Sequence, residues 1–284
     1  MKTVSFRHGL VQPALGLGTW RMGESRGSRT AEIAAVRSAF DMGYRVVDTA
    51  EMYGDGGAEE VVGAALSEAV REGTLRREDV FIVSKACPHH ASRRELPVAC
   101  ERSLARLGIE RIDLYLLHWK GSHPLRETVE AFERLRARGW IARWGVSNFD
   151  VDDLVALWAV DGGGQCATNQ VYYSLTERGP ETALMPWMRE RGVPLMAYSP
   201  IDQGALARDA GLRRLAAAKG CTAAQLALAW VLAQPGVMAI PKAVSESHLR
   251  ENLGAADIAL GVEELAVLDR LHPAPRRKRP LAMR

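Results

Sequence analysis

VVDTAEMYG, residues 46–54, carries both the clue to the fold and the first chemical group. Val46 and Val47 run straight into Asp48, and Tyr53 and Gly54 follow close behind. A strand with one face in water alternates apolar and polar residues, whereas a strand covered on both faces does not. The surrounding RVVDTA (45–50) is of the covered kind. Similar runs recur in ALGLG (14–18), VFIVSK (80–85), IDLYLLH (112–118), IARWGVS (141–147), CATNQV (166–171), VPLMAYS (193–199) and VMAIPK (237–242).

Segments of helical period lie between them. TAEIAAVRSAFDMG (30–43) and AEEVVGAALSEAV (58–70) each place apolar residues on one face. ELPVACERSLARLG (95–108) and ETVEAFERLRARG (127–139) end in a basic turn and a glycine, which are helix stop signals. DVDDLVALWAV (150–160) starts at Asp150, an N-cap residue type. Eight strands alternating with helices predict an α/β fold, and eight of them in 284 residues predict a closed (β/α)8 TIM barrel. Residues 1–13 precede the first barrel strand and suit a short hairpin. The seventh crossover holds two helices, about 206–219 and 222–234, and two more follow the eighth strand near 245–254 and 262–271. No linker divides the chain, so residues 1–284 read as one domain, with 272–284 (HPAPRRKRPLAMR) as a solvated surface tail.

The totals exclude several classes of function. A net charge of +3 argues against nucleic acid and against an anionic membrane surface. No apolar run is long enough to span a bilayer, and the start MKTVSFRHGLVQP lacks the apolar core of a secretion signal. Cys87, Cys100, Cys166 and Cys221 are scattered without a CxxC pair, which fits reduced thiols in a cytoplasmic protein. Cys87-Pro88-His89-His90 has no further cluster of soft ligands near it, so no metal is expected.

In a (β/α)8 barrel the chemistry sits where the strands end. The eight ends read Gly18-Thr19-Trp20, Asp48 with Tyr53 in its loop, Lys85, His118-Trp119, Ser147-Asn148, Asn169-Gln170, Tyr198-Ser199 and Lys242. Four of these combine usefully. A tyrosine near neutrality is a poor acid, because its ordinary pKa is about 10. A neighbouring ammonium would lower that value, and Lys85 can supply one. A buried lysine in turn needs a counter-ion, and Asp48 can be that partner. With His118 as a further donor or acceptor, the group suits proton transfer to a carbonyl oxygen. Asp48 and Lys85 alone would be a plain buried ion pair, and His118 alone a core histidine. Trp20 and Trp119, at strand ends, suit the wall of an apolar substrate pocket, whereas Trp140, Trp144 and Trp230 suit packing.

Across about residues 4 to 270 the chain resembles the aldo-keto reductases. The shared motifs are GLGTW (16–20), DTAEMYG (48–54), SK (84–85), LLHW (116–119), GVSNF (145–149), NQ (169–170), AYSP (197–200) and IPK (240–242). Within that family AEMYGDGGAE, LLHWKGS, NQVYYSL and IPKAVSESHLRENLGA are similar to a bacterial branch that reduces methylglyoxal. The resemblance implies a catalytic tetrad of Asp48, Tyr53, Lys85 and His118, with Tyr53 as general acid and small aldehydes or 2-oxoaldehydes as substrates. It implies NADPH bound in extended form, without a GxGxxG turn. Ser147, Asn148 and Gln170 would hold the carboxamide, Tyr198 would stack on the nicotinamide, and Ser199, Pro200, Ile201, Gln203 and Gly204 would cradle the pyrophosphate. Lys242, Ala243, Val244, His248, Glu251 and Asn252 would surround the adenosine end, with Gly18, Thr19, Asp48 and Ile240 completing the site. Ala243 and His248 replace the serine and arginine common in the family, which leaves NADPH favoured and NADH less excluded. A monomer is the family default. Relatives that act as cofactor-binding regulatory subunits of low turnover form the alternative, and a Schiff-base lysine at Lys85 a third reading.

Overall fold

The computed structural model describes residues 2–284, apart from the side chain of His8. Two short antiparallel strands, β1 (Thr3–Ser5) and β2 (Val11–Pro13), open the chain as a hairpin. Eight parallel strands follow: β3 (Leu17–Gly18), β4 (Val46–Asp48), β5 (Phe81–Ala86), β6 (Leu114–Leu117), β7 (Trp144–Ser147), β8 (Asn169–Tyr172), β9 (Leu195–Tyr198) and β10 (Val237–Ala239). Each pairs with its neighbours in chain order. Parallel bridges Leu15↔Ala239 and Gly18↔Lys242 join the first barrel strand to the last and close the sheet. That seam depends on Gly18, because a Cβ there would lie 2.6 Å from the Ile240 carbonyl oxygen.

The covered-strand reading holds in detail. All six residues of β5 are buried, as are all four of β6, β7 and β8. The helices are α1 (Arg29–Asp41), α2 (Gly57–Arg71), α3 (Glu95–Leu107), α4 (Leu125–Ala137), α5 (Val151–Trp158), α6 (Leu184–Glu190), α7 (Ala210–Lys219), α8 (Ala223–Leu232), α9 (Glu246–Ala255) and α10 (Val262–Leu271). On α2 the residues Ala58, Val61, Val62, Ala65, Leu66 and Ala69 are buried at helical spacing. Gly108 ends α3 with φ +64, a value that glycine adopts without strain. Asp150 caps α5, its carboxylate accepting from the Val151 N–H at 2.7 Å.

Three features differ from the sequence reading. Helix α7 starts later than expected, because residues 206–208 form a separate 3-10 turn. Helix α6 has seven residues with Pro186 inside its first turn, too short to show a period. The tail 272–284 is exposed in part but tethered, with Lys278 paired to Asp150 and Asp152. At the opposite end Phe6 packs on Phe81, the first residue of β5, at 6.0 Å between ring centroids. The hairpin therefore covers the N-terminal end of the barrel and leaves the C-terminal end to the site. Among the described residues, no single helix is long and apolar enough to cross a membrane.

Candidate active site

The C-terminal ends of the strands surround a cleft of about 690 Å³. Asp48, Tyr53 and His118 line it, and Lys85 lies beneath them, fully buried. Asp48 ends β4, and Lys85 lies on the adjacent β5 two residues beyond Val83, the register partner of Asp48, so both side chains start from rigid backbone. The Lys85 ammonium donates to Asp48 Oδ2 at 2.7 Å, to the Thr49 carbonyl at 2.9 Å and to the Tyr53 hydroxyl oxygen at 3.1 Å. An ammonium has three protons to donate and no lone pair. All three are used, so the geometry describes a charged lysine and leaves no free amine for Schiff-base chemistry. The other Asp48 oxygen accepts from Gln170 Nε2 at 2.7 Å.

These contacts set the electrostatics. Burial alone would discharge Lys85, but Asp48 and the Tyr53 oxygen override it and hold its pKa above the ordinary lysine value. Burial pushes the Asp48 carboxyl up, against the pull of Lys85 and Gln170. Tyr53 departs from the sequence expectation. Lys85 does draw its pKa down, but burial outweighs that pull and the phenol lies above its usual 10. The phenol is thus fully protonated near neutrality. Because its oxygen already accepts from Lys85, its own proton is the one left to give. Burial, seconded by the Lys85 charge, holds His118 well below the ordinary histidine value, so the ring is neutral. It meets Tyr53 edge-on, with centroids 5.6 Å apart. Its Nδ1 is buried without a hydrogen-bond partner.

The rest of the ring divides into residues that face the cleft and residues behind it. Gly18, Trp20, Trp119, Asn148, Gln170, Tyr198, Ser199, Pro200, Ile201, Gln203, Gly204, Ile240, Lys242 and His248 face it. The Tyr198 hydroxyl donates to Asn148 Oδ1 at 2.9 Å, and Asn148 Nδ2 donates to the His118 carbonyl at 3.1 Å. Thr19 is buried behind the wall, its hydroxyl donating to the Asp48 carbonyl at 2.9 Å. Ser147 is also buried and donates to the Gln170 carbonyl at 2.8 Å. Ala243 and Asn252 are buried outside the lining, Val244 is exposed, and Glu251 accepts from Thr222. Lys242 is exposed at the cleft edge just before α9, where Ser245 caps the helix by accepting from the His248 N–H. Among the described residues Lys242 has no carboxylate within ion-pair distance.

Five lining residues were absent from the sequence reading: Arg21, Met52, Pro241, Met283 and Arg284. Arg21, Met52 and Pro241 adjoin Trp20, Tyr53 and Lys242, so adjacency could have found them. Met283 and Arg284 carry no local signal, and they bring to the cleft wall a tail that reads from its composition as solvated surface. Among the described residues, no group of three or more His, Cys, Asp and Glu side chains is placed to hold a metal ion.

Comparison with known proteins agrees with this geometry. The model of the Aldo/keto reductase family matches residues 14–273. Methylglyoxal reductase YeaE of Escherichia coli is 47% identical, over 99% of each chain. Glyoxal reductase of Bacillus subtilis is 34% identical, over 95% of this chain and 92% of its own. A crystal structure of an aldo/keto reductase from Klebsiella pneumoniae, in complex with NADP and acetate, superposes with a TM-score of 0.94 at 50% identity, covering 99% of each chain. The barrel, the ring of polar strand ends and these matches lead to one assignment: the chain belongs to the aldo/keto reductase family, and is an oxidoreductase.

Proposed function

We propose that this chain is an NADPH-dependent reductase of small aldehydes and 2-oxoaldehydes, methylglyoxal among them, with Tyr53 as the general acid. The observation that carries the reading is the Lys85 ammonium, which donates to the Tyr53 oxygen at 3.1 Å while it is paired with Asp48 at 2.7 Å. The names of two relatives, a methylglyoxal reductase and a glyoxal reductase, support the substrate class. The NADP in the Klebsiella pneumoniae complex supports the cofactor.

The residues present fit that cofactor. Lys242, exposed at the cleft edge without an ion-pair partner among the described residues, suits a 2′-phosphate, and the N-terminus of α9 beside it favours the same charge. Asn148 and Gln170 would hold the carboxamide, and Tyr198 would lie against the nicotinamide. Ser199 to Gly204 would cradle the pyrophosphate. Bound NADPH supplies the hydride for the carbonyl carbon.

This chain's own residues handle the proton. As negative charge grows on the substrate oxygen, Tyr53 gives up its hydroxyl proton to it. The phenolate left behind sits beside the Lys85 ammonium, which stabilises it in a site from which water is largely excluded. Asp48 keeps Lys85 charged and in place. Neutral His118 offers a ring N–H to the carbonyl and does not compete as an acid. Trp20, Met52 and Trp119 give the carbonyl an apolar wall. The same chain of contacts supports turnover over the low-turnover binding-subunit reading, since a pure binding subunit has no use for it.

The test is steady-state oxidation of NADPH with methylglyoxal, run beside NADH and beside aromatic and sugar aldehydes. Fast turnover with NADPH and methylglyoxal is expected. Turnover with the other carbonyls alone would remove the substrate class and keep the reductase. Tight NADPH binding without turnover on any carbonyl would overturn the enzymatic reading.

A further inference from the structure

The end of the tail makes contacts that none of the roles above uses. After α10 the chain returns across the C-terminal face of the barrel. Lys278 Nζ lies 2.9 Å from Asp152 and 3.2 Å from Asp150, at the start of α5. Six residues on, the Arg284 guanidinium lies 2.5 Å from Asp202 Oδ1 and 5.0 Å from the centre of the Tyr172 ring. The Arg284 backbone N–H donates to the Tyr198 hydroxyl oxygen at 3.3 Å. Tyr172 and Tyr198 are stacked, with centroids 5.9 Å apart and planes 18° from parallel.

Asp202 belongs to the loop after β9, and that loop is strained. Ser199, Asp202 and Gln203 have φ of 49°, 50° and 51°, in the left-handed region that side chains disfavour. Such backbone persists only where its surroundings over-determine it. Here the Asp202 carboxylate receives the constraint. It accepts from the Tyr172 hydroxyl at 2.6 Å and from Thr176 Oγ1 at 3.3 Å, and it pairs with Arg284. Arg284 thus touches both the loop that would hold the pyrophosphate and the two tyrosines beside the nicotinamide end.

We propose that Arg284 is a positioning residue for the cofactor: by pairing with Asp202 it latches the tail onto residues 199–204 and holds that loop in its binding shape. The inference rests on the reading that this cleft takes NADPH. It differs from a substrate-specificity role, because the residues Arg284 engages are those of the cofactor loop. The guanidinium is 40% exposed, so the latch is a half-screened ion pair and its effect is modest and salt-sensitive.

The test is titration of the whole protein with NADPH, followed by quenching of tryptophan fluorescence, for the parent and for R284A, R284K, D202N and the R284A/D202N double variant. R284A is expected to raise Kd about fivefold, the scale of a partly exposed ion pair. R284K recovers most of that loss, and raising the salt shrinks it. D202N weakens binding itself, and adding R284A to it costs nothing further, as coupled partners require. In steady state the R284A loss falls on KM for NADPH and not on kcat. An unchanged or lower Kd in R284A, or losses that simply add in the double variant, would overturn the latch while leaving the cofactor reading intact. A parent protein that binds neither NADPH nor NADH would overturn the cofactor reading and the latch with it.

Discussion

The two ends of the cleft are built on opposite plans. At the end proposed for proton transfer, Asp48 and Lys85 sit on adjacent strands and are 2% and 0% exposed. Each Lys85 proton has an acceptor, and all three come from the end of β4 and the loop that directly follows it. At the end proposed for the pyrophosphate, three non-glycine residues of one loop have positive φ, and Arg284 reaches in from more than eighty residues away. The first end takes its shape from the sheet, the second from side-chain pairs that tie strained backbone down. A reductase of this kind needs both. On the proposed function, the acid and its lysine must stay fixed while a proton moves, whereas the loop must admit and release a dinucleotide each turnover.

That contrast predicts where substitutions will fall hardest. Tyr53→Phe removes only the hydroxyl. Since Lys85 and Asp48 keep each other, the fold and the cofactor end should be untouched. Turnover with methylglyoxal is expected to fall by ~10²–10⁴-fold, the range assigned to a positioned general acid, while Kd for NADPH stays within a factor of two or so of the parent. Parallel stopped-flow and binding measurements separate the two. A variant that turned over at the parental rate would break the comparison at its stronger end, because the acid would then lie elsewhere.

At the other end, Lys242→Ala sharpens the contrast by dividing the two dinucleotides. Loss of an ammonium that meets a phosphate costs on the order of 1.5–3 kcal/mol. NADPH should therefore weaken by ~10–100-fold, whereas NADH, which lacks the 2′-phosphate, should hardly change. Titration of both cofactors reads this directly. Equal losses would move the phosphate site away from Lys242. Ala243 gives no hydroxyl to share the load, so on the proposed reading the discrimination rests largely on Lys242.

What was legible in the sequence follows the same division. RVVDTA and VFIVSK announce strands buried on both faces, and a polar residue ending such a run has few uses other than the site. Asp48, Lys85 and His118 could therefore be located from the pattern of residues alone. The N-cap at Asp150 and the stop at Gly108 were legible because each acts within a few residues of itself. Helix α6 was not, since seven residues around Pro186 carry no period. Nor was the course of the tail, whose contacts depend on where Asp150, Asp152 and Asp202 stand in space. RRKR (276–279) reads as solvated charge from composition, yet Lys278 within it is a tether. Tyr53 shows a third limit. The sign of the Lys85 effect was readable, but the depth of burial that reverses the net shift was not.

The smallest expected effect concerns His118, and it tests whether the proton-transfer end is as dry as its contacts imply. Burial and the Lys85 charge hold the folded His118 pKa well below 6.5, so the ring refuses a proton that the unfolded chain accepts. Between pH 6.5 and the depressed folded value, the unfolded state therefore binds more protons at this site, and stability falls as pH falls. Above 6.5 both states are neutral there and His118 adds no slope. Urea unfolding at pH 7.5 and pH 5 should thus show a larger loss on acidification for the parent than for His118→Gln, which cannot titrate. Other histidines contribute to both proteins alike, so the difference between them isolates this ring. In activity the same neutrality means that kcat/KM for methylglyoxal carries no inflection from His118 near 6.5. Equal acid sensitivity in the two proteins, together with an inflection near 6.5 that His118→Gln removes, would mean that the ring is charged in the folded state. The general acid would then have to be reassigned between His118 and Tyr53.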